Sequence, residues 1–381
     1  MLSTQSLLKN TIVRGIPTSG MTLSSLKLAT NYSTISKAMV CEKHGKPKDV
    51  LRLKELTIPK IKDDEVLVKF LAAPINPSDI NQIEGVYPIK PRFKKYGAVG
   101  GNEGVAEVVA AGNKVKNLTV GDWVIPDTKA FGTWQTFAAS PENELQKISK
   151  NISKISASTI SVNPPTAYRM LKDFVNLKKG DVIIQNGANS AVGQAVIQIA
   201  KAWGIKTINV VRDRPNFDEL ADQLHKLGAT LVIKEEDLRA NSTRELVKNL
   251  GSPVRLGLNC VGGKSANGIT RLLGHNASLV TYGGMSKQPL TFGTGPFIFK
   301  NLKACGFWNS RWNKEASKKD KQYMFDDLCE LIRGGYLAEP WHDETKWELS
   351  DDNKTLNRKF MKALSKAGAS FGNKKQILTF E

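Results

Sequence analysis

The chain has 381 residues, 40% of them hydrophobic and 24% charged, with a formal net charge of +19. That length suits two domains with real cores, and no apolar run is long enough to span a membrane. Four cysteines, Cys41, Cys260, Cys305 and Cys329, stand too far apart for a disulfide framework or a structural zinc site.

The first 37 residues carry Lys9, Arg14, Lys27 and Lys37 and no acid, with many Ser and Thr and scattered Leu and Ile. This is the composition of an amphipathic mitochondrial presequence, and the acid-free run ends where the strand-like "KAMVCEKHG" begins. Without those four cations the formal charge falls from +19 to +15, so the body is basic as well. Such a field attracts nucleic acid, an anionic membrane, or an acidic protein or ligand. The lysines are spread along the chain rather than blocked, which argues against a dedicated nucleic-acid partner.

From residue 38 to about 160 the pattern is of short strands and turns. "DEVLVKFLAAPIN" alternates and is expected to break at Pro74 and Pro77; "GGNEGVAEVVAAGNKV", "GDWVIP" and "GTWQTFAAS" follow closely. This spacing predicts a partly open β-barrel. Within it, "NPSDINQIEGVYPIKP" (76–91) is too rich in turn formers for a long regular element. Tyr87, in that loop, is either a packed surface residue or a proton donor. Asn76, Ser78 and Asp79 either brace the turn or, for Asp79, orient the loop.

After residue 160 strands and helices alternate. "NPPTAYRMLKDFV" sets prolines at a helix start, where a missing N–H costs nothing. The strands "DVIIQ", "KTINVV", "TLVI", "VRLGLNCV", "ASLVTYGG" and "LKACGFW" are separated by helical segments, which predicts a parallel, doubly wound α/β sheet. The tail, from "DKQYMFDDLCELIRGG" onward, is expected to fold back on the first domain. The expected limits are 1–37 for the presequence, 38–160 with 314–381 for the barrel domain, and 161–313 for the wound sheet.

"QNGANSAVGQAV" follows the first wound strand and opens its helix, the position at which a dinucleotide pyrophosphate meets free N–H groups. The glycine frame falls on Ala188, Ser190 and Gly193, with Gly187, Asn189 and Ala191 keeping the loop small. At the end of the second strand stands "VVRDRP". An acid alone would select the ribose hydroxyl of NAD; Arg212 and Arg214 instead match a 2′-phosphate, with Asp213 bracing them, so the expected cofactor is NADPH.

The β-rich start, wound sheet and returning tail resemble the medium-chain dehydrogenase/reductase superfamily over essentially everything after the leader. The resemblance implies a GroES-like barrel domain joined to a Rossmann domain. Zinc-dependent members use an early Cys, a His in a Gly-His-Glu turn and a four-cysteine lobe. Here "PINPSDI" and "GGNEG" stand at the first two places, Asn102 replaces the histidine, and no cysteine cluster exists, so no metal is expected.

Within the zinc-free branch, "NPSDINQIEGVYPIKP", "NPPTAYRML", "VVRDRP" and "YGGMS" resemble the mitochondrial 2-enoyl thioester reductases of fungi and animals. That resemblance implies reduction of a trans-2-enoyl thioester of acyl carrier protein or CoA, in the mitochondrial matrix, with Tyr87 as proton donor and a homodimer formed through the wound sheets. It implies nucleotide contacts on Asn163, on Ser190, Ala191, Val192 and Gly193, on Arg212, Asp213 and Arg214, on Tyr282, Gly283, Gly284 and Met285, on Phe307, Trp308 and Asn309, and on Lys375. Trp308 and Trp312 either line an acyl pocket or belong to the core. A phenol stays protonated near neutral pH and is able to protonate an enolate. The alternatives are an NADPH quinone or aldehyde reductase, and a basic nucleic-acid-binding regulator on the same fold.

Overall fold

The computed structural model describes residues 34–348, 350–368 and 374–381. Most of the expected presequence, residues 1–33, lies outside the described residues. Thr34–Lys37 open the first strand, β1 (Thr34–Cys41), which pairs antiparallel with β2 (Leu51–Ile58). β3 (Glu65–Ile75) is the spine of the barrel domain, followed by β4 (Ala98–Val99), β5 (Val105–Ala111), β6 (Trp123–Pro126), β7 (Phe137–Pro141) and β8 (Leu145–Ile148). A three-stranded sheet runs β2-β1-β4.

The break expected at Pro74 does not occur: β3 continues through it to Ile75. By then the strand has run past β5, whose pairing ends at Ala72, and the Pro74 carbonyl accepts from Trp134 Nε1 at 3.1 Å. A residue without an N–H is tolerated where the ladder on one side has ended.

The wound sheet consists of β9 (Val182–Asn186), β10 (Lys206–Val211), β11 (Leu231–Lys234), β12 (Val254–Asn259), β13 (Ser278–Thr281) and β14 (Lys303–Gly306). They are all parallel, in the order β11-β10-β9-β12-β13-β14. All five residues of β9 are buried, as helices on both faces require. The order reverses between β9 and β12, which opens a crevice at the carboxyl ends of the strands.

The end of the chain joins the barrel sheet. β15 (His342–Trp347) pairs parallel with β16 (Lys375–Phe380), and β16 pairs antiparallel with β3, Leu378 opposite Ala73. Together with β5, β6 and β8, and with β7 also paired to β3, they complete a seven-stranded sheet. The helix Asn353–Ala367 buries Leu356, Phe360, Ala363 and Leu364, one face at helical spacing, against this sheet's aromatics. One apolar cluster spans both halves of the molecule, joining Ala72, Ile125 and Ile377 to Tyr168, Ile183 and Leu256. The expected limit at 160/161 falls just after the helix Lys154–Thr159, and that at 313/314 falls inside the helix Asn309–Glu315.

Candidate active site

The stretch around Tyr87 contains a short helix, Pro77–Glu84, ended by Gly85 in the left-handed region (φ 80°). Its first turn is closed by Asp79, whose Oδ2 accepts from the Asn76 N–H at 2.8 Å. Tyr87 lies in the loop beyond, where the backbone N–H groups of Val86 and Tyr87 both donate to Asn81 O, at 3.0 and 3.1 Å. The Tyr87 ring is half-buried and meets the Trp308 ring edge-on, centroids 6.2 Å apart, while Trp308 Nε1 donates to the Tyr87 hydroxyl oxygen at 2.9 Å. An oxygen that accepts from the indole keeps its own hydrogen available for a second partner.

Behind the loop sits a network that enlists Asn76 and Asp79, two of the residues expected to brace the turn. The Asn76 side chain also reaches beyond the helix start. Its Nδ2 donates to Glu103 Oε2 at 2.8 Å and its Oδ1 accepts from Lys375 Nζ at 2.6 Å. Glu103 Oε1 also accepts from the Ser161 N–H at 3.0 Å. Asn102 Nδ2 donates to Asp79 Oδ1 at 2.7 Å and to Gln82 Oε1 at 2.9 Å. Asp79 and Glu103 are fully buried. Burial pushes Asp79 up to about 6 and also raises Glu103, and it lowers Lys375, whose charge in turn favours both carboxylates. Lys375, expected at the nucleotide, is thus engaged with Asn76 in this structure.

The other sites expected for a nucleotide fall directly after parallel strand ends: Ser190–Gly193 after β9, Arg212–Arg214 after β10, Tyr282–Met285 after β13, and Phe307–Asn309 after β14. Parallel strands bring these four separated segments to one edge of the sheet. Ser190 caps the helix Ala191–Ala202 by accepting from the Gly193 N–H. A Cβ at Gly193 would lie 2.4 Å from Ala188 O, so only glycine permits this approach of helix to strand. Asn163 opens the helix Asn163–Asp173, and a narrow cleft lined by Asn163 and Ala191 brings it to the phosphate loop. Its buried Nδ2 has no hydrogen-bond partner, and neither has Asn309 Oδ1. Orphaned buried amides of this kind suit a polar ligand group. Tyr282 faces Cys260 and Ser190, and burial raises its hydroxyl well above the usual range.

Asp213 accepts from Lys234 Nζ at 2.8 Å, which ties the acid to the end of β11. Burial, and then the like charge of Arg212, lower Arg214. Met285 is largely exposed, and Gly284 has open space where a Cβ would stand. Trp312 packs against the core, under the Arg169 guanidinium at 4.5 Å.

Sequence reasoning missed a ladder of amides beneath the crevice. Asn186 Nδ2 donates to Asn259 Oδ1 at 2.8 Å, and Asn259 Nδ2 to Thr281 Oγ1 at 3.1 Å. Cys260 N–H donates to Asn186 Oδ1 at 2.8 Å. The available signal was an asparagine closing each of two apolar strands, where an aliphatic residue is usual.

Among the described residues no three His, Cys, Asp or Glu side chains are grouped to hold a metal ion. Asn102, where zinc-dependent members carry a histidine, is engaged in hydrogen bonds: its nitrogen faces two acceptors and its oxygen accepts from the Ala130 N–H at 2.8 Å.

Comparison with known proteins places the two halves in two families. Residues 62–150 match the alcohol dehydrogenase GroES-like domain, and residues 191–322 match the zinc-binding dehydrogenase family. The chain is 49% identical over 349 residues to the mitochondrial enoyl-[acyl-carrier-protein] reductase of Xenopus tropicalis, covering 91% of this chain and 96% of that one. It superposes on the solved Etr1p/NADP/crotonyl-CoA complex with a TM-score of 0.84 at 39% identity, covering 91% of this chain and 100% of the other. The mitochondrial 2-enoyl thioester reductase Etr1p/Etr2p heterodimer from Candida tropicalis gives 0.85 at 38% identity, with the same coverage.

Proposed function

The chain belongs to the mitochondrial enoyl-[acyl-carrier-protein] reductases of the medium-chain dehydrogenase/reductase superfamily, and from that premise we propose how its residues divide the work. The protein is an NADPH-dependent oxidoreductase that reduces trans-2-enoyl thioesters to saturated acyl thioesters. The residues found at the strand ends fit a dinucleotide: a helix N-terminus with a glycine that tolerates no Cβ, two arginines for a 2′-phosphate, and orphaned amides at Asn163 and Asn309. The pyrophosphate belongs on Ser190, Ala191, Val192 and Gly193, the adenosine phosphate on Arg212 and Arg214 with Asp213 alongside. The nicotinamide end belongs near Asn163, Tyr282–Met285, Phe307–Asn309 and Lys375.

When bound, NADPH supplies a hydride to the β-carbon of the enoyl group. The resulting enolate needs a proton at its α-carbon, and Tyr87 supplies it through its hydroxyl. The Trp308 indole N–H, 2.9 Å from that oxygen, stabilises the phenolate left behind until solvent reprotonates it. The contact between Tyr87 and Trp308 is the observation that carries this assignment, because it sets a loop phenol against a segment that also leads into the nucleotide edge. The reading is tested by NADPH oxidation with a crotonyl thioester, with a quinone as the alternative acceptor. Turnover of the quinone without turnover of the thioester would reverse it.

Purified protein is expected to contain no stoichiometric zinc and to keep its activity in chelator, since the Asn102 amide is wholly engaged in hydrogen bonds. Elemental analysis finding one zinc per chain, with activity lost on its removal, would contradict this.

The protein is mitochondrial, and the acid-free leader supports a matrix address; protection from added protease in intact mitochondria, but not after inner-membrane rupture, tests it. A homodimer is supported by β14, an edge strand with three of four residues exposed, next to exposed Ile298 and Phe299. An unpaired edge beside apolar side chains is a template for a second copy. Sedimentation should give twice the chain mass, and Phe299→Asp should shift it toward the monomer. A wild-type protein that stays monomeric at micromolar concentration would exclude it. A division into a barrel domain, 38–160 with 314–381, and a wound-sheet domain, 161–313, is supported by the pairing of β15 and β16 onto the barrel's β3.

A further inference from the structure

We propose that Asn102 and Gln82 form a one-way hydrogen-bond relay that positions the Tyr87 loop, and that both are positioning residues for proton delivery. The inference rests on the reading of Tyr87 as proton donor.

The directions of the bonds are forced. The backbone N–H of Ala130 can only donate, so the Asn102 side chain must turn Oδ1 toward it, at 2.8 Å. That leaves the Asn102 NH2 facing Asp79 Oδ1 and Gln82 Oε1, at 2.7 and 2.9 Å. With its oxygen taken, Gln82 must turn Nε2 outward, and it donates to the backbone carbonyl of Ile89 at 3.2 Å. Asp79 cannot swing away, because its second oxygen accepts from the Asn76 N–H. Each amide orientation is therefore dictated by its neighbour, starting from a backbone N–H and ending on a loop carbonyl.

The endpoint is what matters. Tyr87 sits between two anchors. On its N-terminal side, Val86 and Tyr87 N–H groups hold to Asn81 O. On its C-terminal side, Ile89 is held from the interior by Gln82, which is only 4% exposed. Pro88 lies between Tyr87 and this second anchor and removes a torsional freedom. With both backbone anchors the phenol ring is confined; with the second lost, the Asn81 bonds, the Lys90 Nζ–Gly85 O bond and the Trp308 contact are left to hold it, and the backbone C-terminal to Tyr87 loses its tie to the interior. A displacement of about 1 Å at a reacting group can cost up to about a hundredfold in rate. Replacing Gln82 by an apolar side chain of equal length leaves one Asn102 N–H and the Ile89 carbonyl without this partner, but the Asn102 amide keeps Asp79 and Ile89 is only partly buried, so the fold loses little.

Gln82→Met keeps the volume and removes both bonds. It is expected to lower kcat with a crotonyl thioester at least about tenfold, with KM for NADPH within about twofold of wild type and an unchanged melting temperature within a few degrees. The same substitution placed in a Tyr87→Phe background should lower kcat by less than about twofold further, because a relay acting through the hydroxyl has nothing left to position. Should Gln82→Met fail to fold, Gln82→Leu removes the same two bonds with a different apolar shape, and the same two criteria apply. An unchanged kcat in the single variant overturns the proposal. So does an equal loss in both backgrounds, which would mean a general structural effect. Near wild-type turnover by Tyr87→Phe alone would instead remove the donor reading on which the relay stands.

Discussion

Tyr87→Phe is expected to lower kcat by about a hundredfold or more while leaving NADPH affinity and the fold intact. The substitution deletes one hydroxyl and keeps the ring, so the edge-on contact with Trp308 survives. The loss corresponds to about 2.7 kcal/mol in the barrier, within the range general acid catalysis supplies. KM for NADPH should move little, because the hydroxyl acts on the enolate and not on the nucleotide. Removing the hydroxyl also leaves Trp308 Nε1 without its acceptor, which costs about 1 kcal/mol at most in a half-buried loop. Measuring kcat with a crotonyl thioester alongside NADPH affinity and thermal stability separates the roles. A variant that turns over near the wild-type rate would reduce Tyr87 to a packed aromatic, and the proton would then come from water.

Arg212→Ala with Arg214→Ala is expected to raise KM for NADPH by two orders of magnitude or more and to leave KM for NADH almost unchanged. Each charge-assisted bond to a phosphate contributes about 1.5–3 kcal/mol, and two such bonds account for roughly a hundredfold or more. Arg214 is already lowered by burial and by the adjacent charge of Arg212. A 2′-phosphate between them relieves that repulsion, so the discrimination exceeds what one isolated arginine would give. Asp213 tethers the segment to Lys234 at the end of β11 and remains in place in the double variant. A proportional loss for NADPH and NADH would show that the pair supports the loop and does not read the phosphate.

Much of this site was legible in local sequence. The helix Pro77–Glu84 is announced by an asparagine, a proline and an acid in the order of N-cap, N1 and N3, a pattern overlooked because the same residues also favour turns. Gly193 was legible as the glycine required by the phosphate loop. Pro74 was misread as a strand end, since its tolerance depends on where β5 stops pairing, a fact about another strand.

By itself the sequence determined the wound sheet, the phosphate loop and the arginine pair, because each is a property of contiguous residues: hydrophobic period, turn chemistry, and charge at a strand end. It also determined that Tyr87 sits in a restrained loop. Only the tertiary structure decided what Tyr87 touches. Trp308 lies 221 residues away and reaches its hydroxyl because β14 delivers the chain to that edge of the sheet. The same holds for Lys375, brought to Asn76 across 299 residues by the pairing of β16 with β3, and for Asp79, whose rise to about 6 comes first from burial. A hydrogen bond or a desolvated charge depends on atoms a few ångströms apart, and core packing, not sequence spacing, sets those distances.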